Sequence, residues 1–259
     1  MSRIVAIVNQ KGGVGKTTTA INVSAAVAVA EKRALVVDMD PQANLTSGLG
    51  VDGAALNGST IYRGIVDGAP VHELIRDTAL QRLKLIPSER NLTGAEIELV
   101  DQPRREYRLK EVLAPVTDAY DWIFIDCPPS LGLLTVNALV AADAVLIPLQ
   151  CEFFALAGIS ELMSTVGRVR ASFNPTLQVE GIVLTMVDER TNLTTQVIED
   201  VRQAFPGLVF DAIVPRNVRL AEAPSFGKPI LLYDIRSKGA EAYLALTKEI
   251  LRHEEESSR

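Results

Sequence analysis

An α/β fold, a doubly wound and mostly parallel sheet with helices on both faces, is predicted by three features of the 259-residue sequence. Short β-branched runs recur along the chain, helix-like segments separate them, and several runs are apolar without alternation. Continuous apolar runs mark strands buried on both faces, as in parallel sheets. Strand–helix alternation on this scale supplies the helices that cover those faces.

The first run, residues 3–8 (RIVAIV), leads through a glycine-rich turn into an Ala- and Val-rich helical candidate at 16–31. The second, 34–37 (ALVV), ends at Asp38 and Asp40. Residues 45–80 are punctuated by Gly48, Gly50, Gly53, Gly58, Gly64 and Gly68 and read as loops with short helices. The charged stretch 92–115 reads as helical. A third run, 122–125 (WIFI), ends at Asp126, and Pro128, Pro129 and Ser130 then open a helical stretch at 131–142. Strand candidates at 144–149, 181–186 and 208–214 alternate with helical candidates at 155–172, 193–205 and 239–252. No internal repeat or low-complexity linker divides the chain. The expectation is one domain over residues 1–259, closed by a polar tail at about 253–259.

With 47% hydrophobic and 22% charged residues, the composition is that of a soluble globular protein. It excludes a disordered chain, a collagen-like repeat and a disulfide-stapled miniprotein. Only Cys127 and Cys151 are present, too few for a disulfide framework or a zinc cage of ordinary spacing. A reducing, cytoplasmic setting follows. The N-terminus lacks the apolar core of a signal peptide. The longest apolar run, 136–151, is broken by Asp143 and contains Pro148. A net charge of −6 confines any nucleic-acid surface to a local patch.

The decisive segment is Lys11-Gly12-Gly13-Val14-Gly15-Lys16-Thr17-Thr18. It follows the first strand and opens the first helix, the context a Walker A phosphate loop requires. Glycines let backbone N–H groups crowd round phosphate oxygens, and the helix N-terminus adds positive potential. Lys16 can reach the β- and γ-phosphates, and the Thr17 hydroxyl can ligate Mg²⁺. Asp38, Asp40 and Asp126 end strands, and in open α/β sheets ligands bind beyond the strands' carboxyl ends. Asp126 fits the Walker B role, holding Mg²⁺ through water. Asp38 supports the metal's water shell, and Asp40 is the candidate for orienting the attacking water.

An ordinary Walker A loop does not need the first lysine of KGGVGKTT. Together with VVDMDPQANLT, IDCPPSLG and IVPRNVRLAEAPSFGKPI, it resembles the deviant-Walker-A P-loop ATPases, and within them the ParA/Soj partitioning proteins. The resemblance covers almost the whole chain, with residues 45–120 matching loosely. It implies an ATP hydrolase that forms a sandwich homodimer around two nucleotides, with ATP/ADP and Mg²⁺ as cofactors. Lys11 then matches the lysine that reaches the partner's phosphates, a second cation that ties catalysis to pairing. Pro215 and Asn217 match positions bordering the adenine, and Met186 lies against the same base. The resemblance further implies non-specific double-stranded DNA binding by the ATP dimer, and hydrolysis and release stimulated by a ParB-type partner. The expected location is cytoplasmic, on the nucleoid, with no membrane role. The first strand begins at residue 3, which leaves no room for the N-terminal helix-turn-helix region of longer plasmid relatives.

Residues 201–240 carry Arg202, Arg216, Arg219, Lys228, Arg236 and Lys238 against Asp211, Glu222 and Asp234, a basic stretch on an acidic chain. Arg190 adds to it. Such a cluster can neutralise phosphates without reading bases. Arg190 and Arg219 match family positions implicated in DNA contact. Arg216, Lys228, Arg236 and Lys238 rest on charge alone.

Two alternatives stand beside this reading. A MinD-like membrane-associated division regulator would need an amphipathic C-terminal helix, whereas this chain ends acidic (LTKEILRHEEESSR). A metabolic or cofactor-assembly P-loop enzyme has no supporting motif. Cys127 and Cys151 read as small buried residues rather than ligands of a cluster bridging two subunits. Trp122 reads as core, and His72 and His253 carry no role.

Overall fold

The computed structural model describes residues 2–188, 190 and 192–257. Its strands are β1 (Arg3–Ile7), β2 (Ala34–Asp38), β3 (Arg76–Asp77), β4 (Leu83–Ile86), β5 (Trp122–Asp126), β6 (Ala144–Gln150), β7 (Gln178–Val187) and β8 (Val209–Pro215). The helices of the first half are α1 (Lys16–Val29), α2 (Asn44–Gly48), α3 (Ile61–Val66), α4 (Val71–Leu74), α5 (Leu92–Glu98) and α6 (Arg108–Leu113). Those of the second half are α7 (Leu133–Ala141), α8 (Ala155–Ser172), α9 (Asn192–Ala204), α10 (Val218–Glu222), α11 (Ile230–Tyr233) and α12 (Lys238–Ser257).

The strands form one sheet in the order β3-β4-β2-β5-β1-β6-β7-β8. Every pairing is parallel except the short β3 edge against β4. All six strands expected from the sequence are present, within a few residues at each end. β3 and β4 are additions to that reading, and the helical stretch 92–115 divides into α5 and α6.

Alternate residues of each strand feed two cores. Ile4, Ala6, Leu35, Val37, Ile123 and Ile125 face α3 to α9. Val5, Ile7, Val36, Trp122 and Phe124 face α1 and α10 to α12. Each such fully buried branched side chain contributes about 1.5–3 kcal/mol. Trp122 stacks on Phe124 with 5.6 Å between ring centroids, so Trp122 is core. Cys127 and Cys151 are buried and unbridged, matching the bland reading of both. Helix α12 runs to Ser257, so residues 253–257 continue the helix rather than form a tail. An Arg252–Glu256 ion pair at i,i+4 and the stacking of His253 on Phe210 hold that end.

This topology places the site. The chain leaves β1 and returns as β2, skipping the position β5 fills, while β6 flanks β1 on the other side. That reversal of strand order opens a crevice at the strands' carboxyl ends. The register sets Asp126 level with Asp38 on one neighbour and Ile7 on the other.

Candidate nucleotide-binding site

The loop between β1 and α1 takes its shape from two glycines. Gly13 (φ 75°) and Gly15 (φ 90°) occupy the left-handed region, where a side chain is strained. Asn9 ties the loop at its start: its Nδ2 donates to the Pro148 carbonyl at 2.8 Å, and its Oδ1 accepts from Lys11 N at 2.9 Å. The Thr185 hydroxyl donates to the Val14 carbonyl at 2.8 Å from the other side. Helix α1 starts at Lys16 with no side-chain cap and no acid in its first turn. Its first N–H groups are therefore left for an anion.

The two lysines of the loop are placed differently. Lys16 is 7% exposed, and its Nζ donates to the Lys11 carbonyl at 3.1 Å. Burial lowers its pKa, opposed by the nearby Asp126 and Asp40 carboxylates. Lys11 lies on the rim, its side chain half exposed and paired with Glu152, just beyond β6.

Three carboxylates gather opposite the loop, as the sequence predicts. Asp126 is fully buried, and neither of its oxygens receives a hydrogen bond of normal geometry. Burial holds its pKa well above the usual carboxylate range, and Asp38 adds to this. The Thr17 hydroxyl and the Lys16 ammonium pull the other way. A buried carboxylate without a donor is costly unless a cation completes it. The Asp126 and Thr17 oxygens are hard donors suited to Mg²⁺.

Asp38 is also fully buried, but its oxygens are engaged. Oδ2 accepts from Thr46 N at 2.9 Å and the Thr46 hydroxyl at 2.7 Å, and Oδ1 accepts from Asp40 N at 3.1 Å. Burial raises its pKa to about 6. Asp38 thus anchors the 39–46 turn that carries Asp40. Asp40 in turn accepts from Gln42 N at 2.9 Å and borders the cleft with Lys16, Thr17 and Thr18.

The cleft continues past Gly15, Thr18 and Met186 into a second chamber of about 540 Å³. Thr185, Met186, Pro215, Asn217 and Tyr243 are among the residues that line this chamber. Met186 has φ 50°, a strained backbone for a methionine at the end of β7. Asn217 caps α10 by accepting from Leu220 N at 3.3 Å, which leaves its amide nitrogen for a ligand. A phosphate end and a mostly apolar end in one trough match the shape of a nucleotide. The sequence reading missed Gln42, Asn44 and Pro129 in the cleft, and Thr46 and Glu152 beside it.

The expected DNA residues are all on the surface. Arg190 is bound by Asp188, and Arg219 pairs with Glu222 and Asp234. Arg216, Lys228, Arg236 and Lys238 are exposed and take part in no ion pair among the described residues. The two residues suggested by resemblance are therefore the carboxylate-bound ones, and the four suggested by charge alone are unpaired. No helix among the described residues is long and apolar enough to cross a membrane.

Comparison with known proteins gives the site its context. A family profile described as an AAA domain matches residues 2–179. The chromosome partitioning protein ParA of Myxococcus xanthus is 57% identical over 98% of this chain and 89% of its own length. The sporulation initiation inhibitor protein Soj of Bacillus subtilis is 55% identical over 96% of this chain and 98% of its own. Among solved structures, cobyrinic acid a,c-diamide synthase from Mycobacterium smegmatis with bound ADP and magnesium superposes with a TM-score of 0.87 at 36% identity. That match covers 100% of this chain and 97% of the other. Identity above one half across almost the full length joins the phosphate loop, the strand-end carboxylates and the sheet order in one conclusion: the chain belongs to the ParA/Soj family of chromosome-partitioning ATPases.

Proposed function

We propose that this protein is a partitioning ATPase that pairs with a second copy of itself only when each copy holds MgATP. It works as a single P-loop domain, cytoplasmic and associated with the nucleoid. The observation that carries this reading is the division of labour between the two loop lysines. Lys16 is buried in its own cleft, while Lys11 stands half exposed on the rim, and an exposed cation there supports a role toward a neighbouring subunit.

The residues take these roles. The 11–18 loop and the N-terminus of α1 bind the phosphates through backbone N–H groups, with Lys16 on the β- and γ-phosphates. Met186, Pro215 and Asn217 border the base. Thr17 and Asp126 would hold Mg²⁺, the acid through water, and the charge the ion would supply there neutralises the phosphates. Asp40 orients the water that attacks the γ-phosphorus as the bond to ADP breaks. Asp38 holds the Asp40 turn in place and would support the metal's water shell. Lys11 of each copy adds positive charge to the other copy's triphosphate, so hydrolysis needs the pair.

The paired form binds double-stranded DNA without base readout, through the basic surface after β8 and Arg190. A ParB-type protein stimulates hydrolysis and thereby release. The relatives named for chromosome partitioning are more similar in sequence than the amide-forming M. smegmatis enzyme, which favours partitioning over a synthetic reaction. DNA co-sedimentation with ADP, ATP and a non-hydrolysable analogue tests the reading. Retention only with ATP and the analogue supports it, and retention independent of nucleotide refutes it.

A further inference from the structure

Phe153 and Phe154 are 76% and 74% exposed, side by side in the turn between β6 and α8. Their rings meet edge to face, with 5.0 Å between centroids and 85° between planes. The turn that carries them is fixed on both sides. Cys151 before it and Ala155 after it are buried. Ala155 N donates to the Glu152 carbonyl at 2.9 Å, and Gly158 N donates to the Phe154 carbonyl at 3.1 Å. Rings held out on a fixed turn have little freedom left to lose when something covers them.

The two rings belong to a wider face. β5, β1 and β6 are neighbours in the sheet. The loops at their carboxyl ends expose Pro129 and Ser130, then Lys11, Gly12 and Gly13, then Phe153 and Phe154. The first two loops touch: a Cβ at Gly12 would lie 3.9 Å from the Pro129 Cβ. Across residues 11–13, 128–133 and 151–159 the only charged side chains are Lys11 and Glu152, and they pair with each other. Aromatic surface depleted of net charge has the composition of an interface centre. On a chain of net charge −6 it is also where a second copy meets the least repulsion.

Lys11 decides the occupant. Its ammonium is carried on only four carbons, so a neighbour whose triphosphate it meets must close over the residues beside it. Glu152, which holds Lys11, is followed directly by Phe153. Pairing through Lys11 therefore brings the second copy onto the two rings, and two-fold symmetry makes the contact twice. We propose that Phe153 and Phe154 are the apolar anchors of the paired form, buried against the second copy. Lys11 makes pairing conditional on nucleotide, and the rings supply most of its strength. The inference rests on the ATP-dependent pairing proposed above and adds which side chains hold the pair together.

The test is sedimentation velocity with ATP, across a dilution series, on Asp40→Ala with and without Phe153→Ser/Phe154→Ser. Bound ATP per chain is measured alongside. The serine changes should raise the dimer dissociation constant by at least about 30-fold. One ATP should remain bound per chain, and the melting temperature with ADP should stay unchanged, since both side chains are on the surface. Phe153→Tyr/Phe154→Tyr, which keeps the rings, should pair as the Asp40→Ala parent does. An unchanged dissociation constant in the serine variant overturns the anchor and leaves pairing through Lys11 standing. Loss of ATP binding in that variant, or tyrosine changes as damaging as the serine ones, overturns it too. ATP-bound monomers of the Asp40→Ala parent overturn the pairing and this inference together.

Discussion

Lys11 pairs with Glu152 of its own chain, across the rim of the phosphate loop, and both side chains are about half exposed. The carboxylate that holds Lys11 must release it before the ammonium can reach a neighbour's triphosphate. Exposed ion pairs are worth about 0–1 kcal/mol, so the restraint is slight. Glu152→Gln should therefore strengthen ATP-dependent pairing by up to about fivefold, read by sedimentation velocity across a protein dilution series. Weaker pairing in this variant would show that Glu152 contributes to the dimer instead.

Lys16 donates within its own cleft and is almost fully buried. Lys16→Ala should remove nucleotide binding, with a loss of at least 100-fold in affinity for a fluorescent ATP analogue. Retained affinity would move the phosphate site elsewhere.

Asp40 borders the phosphate chamber, held there by the turn that Asp38 anchors. Asp40→Ala should slow hydrolysis by about 10²–10⁴-fold while ATP and DNA binding persist. Normal turnover in this variant would remove Asp40 from the chemistry.

Asp38 is buried, with its pKa raised to about 6 from the ordinary value of 3.8. In that interval the folded protein binds the proton more tightly than the unfolded chain does. Stability from this group is therefore full below pH 4 and is lost as pH rises to 6 and beyond. Asp38→Asn escapes that loss. Its melting temperature relative to wild type should rise between pH 4 and pH 7, by a difference on the order of 3 kcal/mol in stability. A pH-independent difference would show that Asp38 stays charged on folding throughout.

Arg190 and Arg219 are bound by carboxylates, which would compete with DNA phosphates for them. Replacing both by Glu should weaken DNA binding, flatten its salt dependence and leave ATP affinity unchanged. Asp188→Asn should strengthen DNA binding by freeing the guanidinium. Unchanged DNA affinity in the double variant at several salt concentrations would leave the surface to Arg216, Lys228, Arg236 and Lys238.

Much of this was legible in the sequence because it is local. The phosphate loop is eight consecutive residues whose glycines and lysines declare their chemistry, and Asp38, Asp40 and Asp126 each end an apolar run. Long-range partners left no such mark. Thr46 contacts Ser88 across 42 positions, and Lys11 meets Glu152 across 141. β4 is four residues with only Lys84 to break its apolar run, and β3 is two residues on the sheet edge, too short for a period to show. The end of α12 reads as a polar tail because three successive glutamates oppose the helix dipole there, yet packing on Phe210 keeps it helical.

The central claim is that two copies pair through Lys11 only when nucleotide is bound. Its most direct test is sedimentation velocity with ATP on Asp40→Ala, whose turnover is expected to be slow, beside the Lys11→Ala/Asp40→Ala double variant. The account predicts a dimer for the first, a monomer for the second, and one ATP bound per chain in both. A dimer of the double variant, or ATP-bound monomers of the single one, would contradict it.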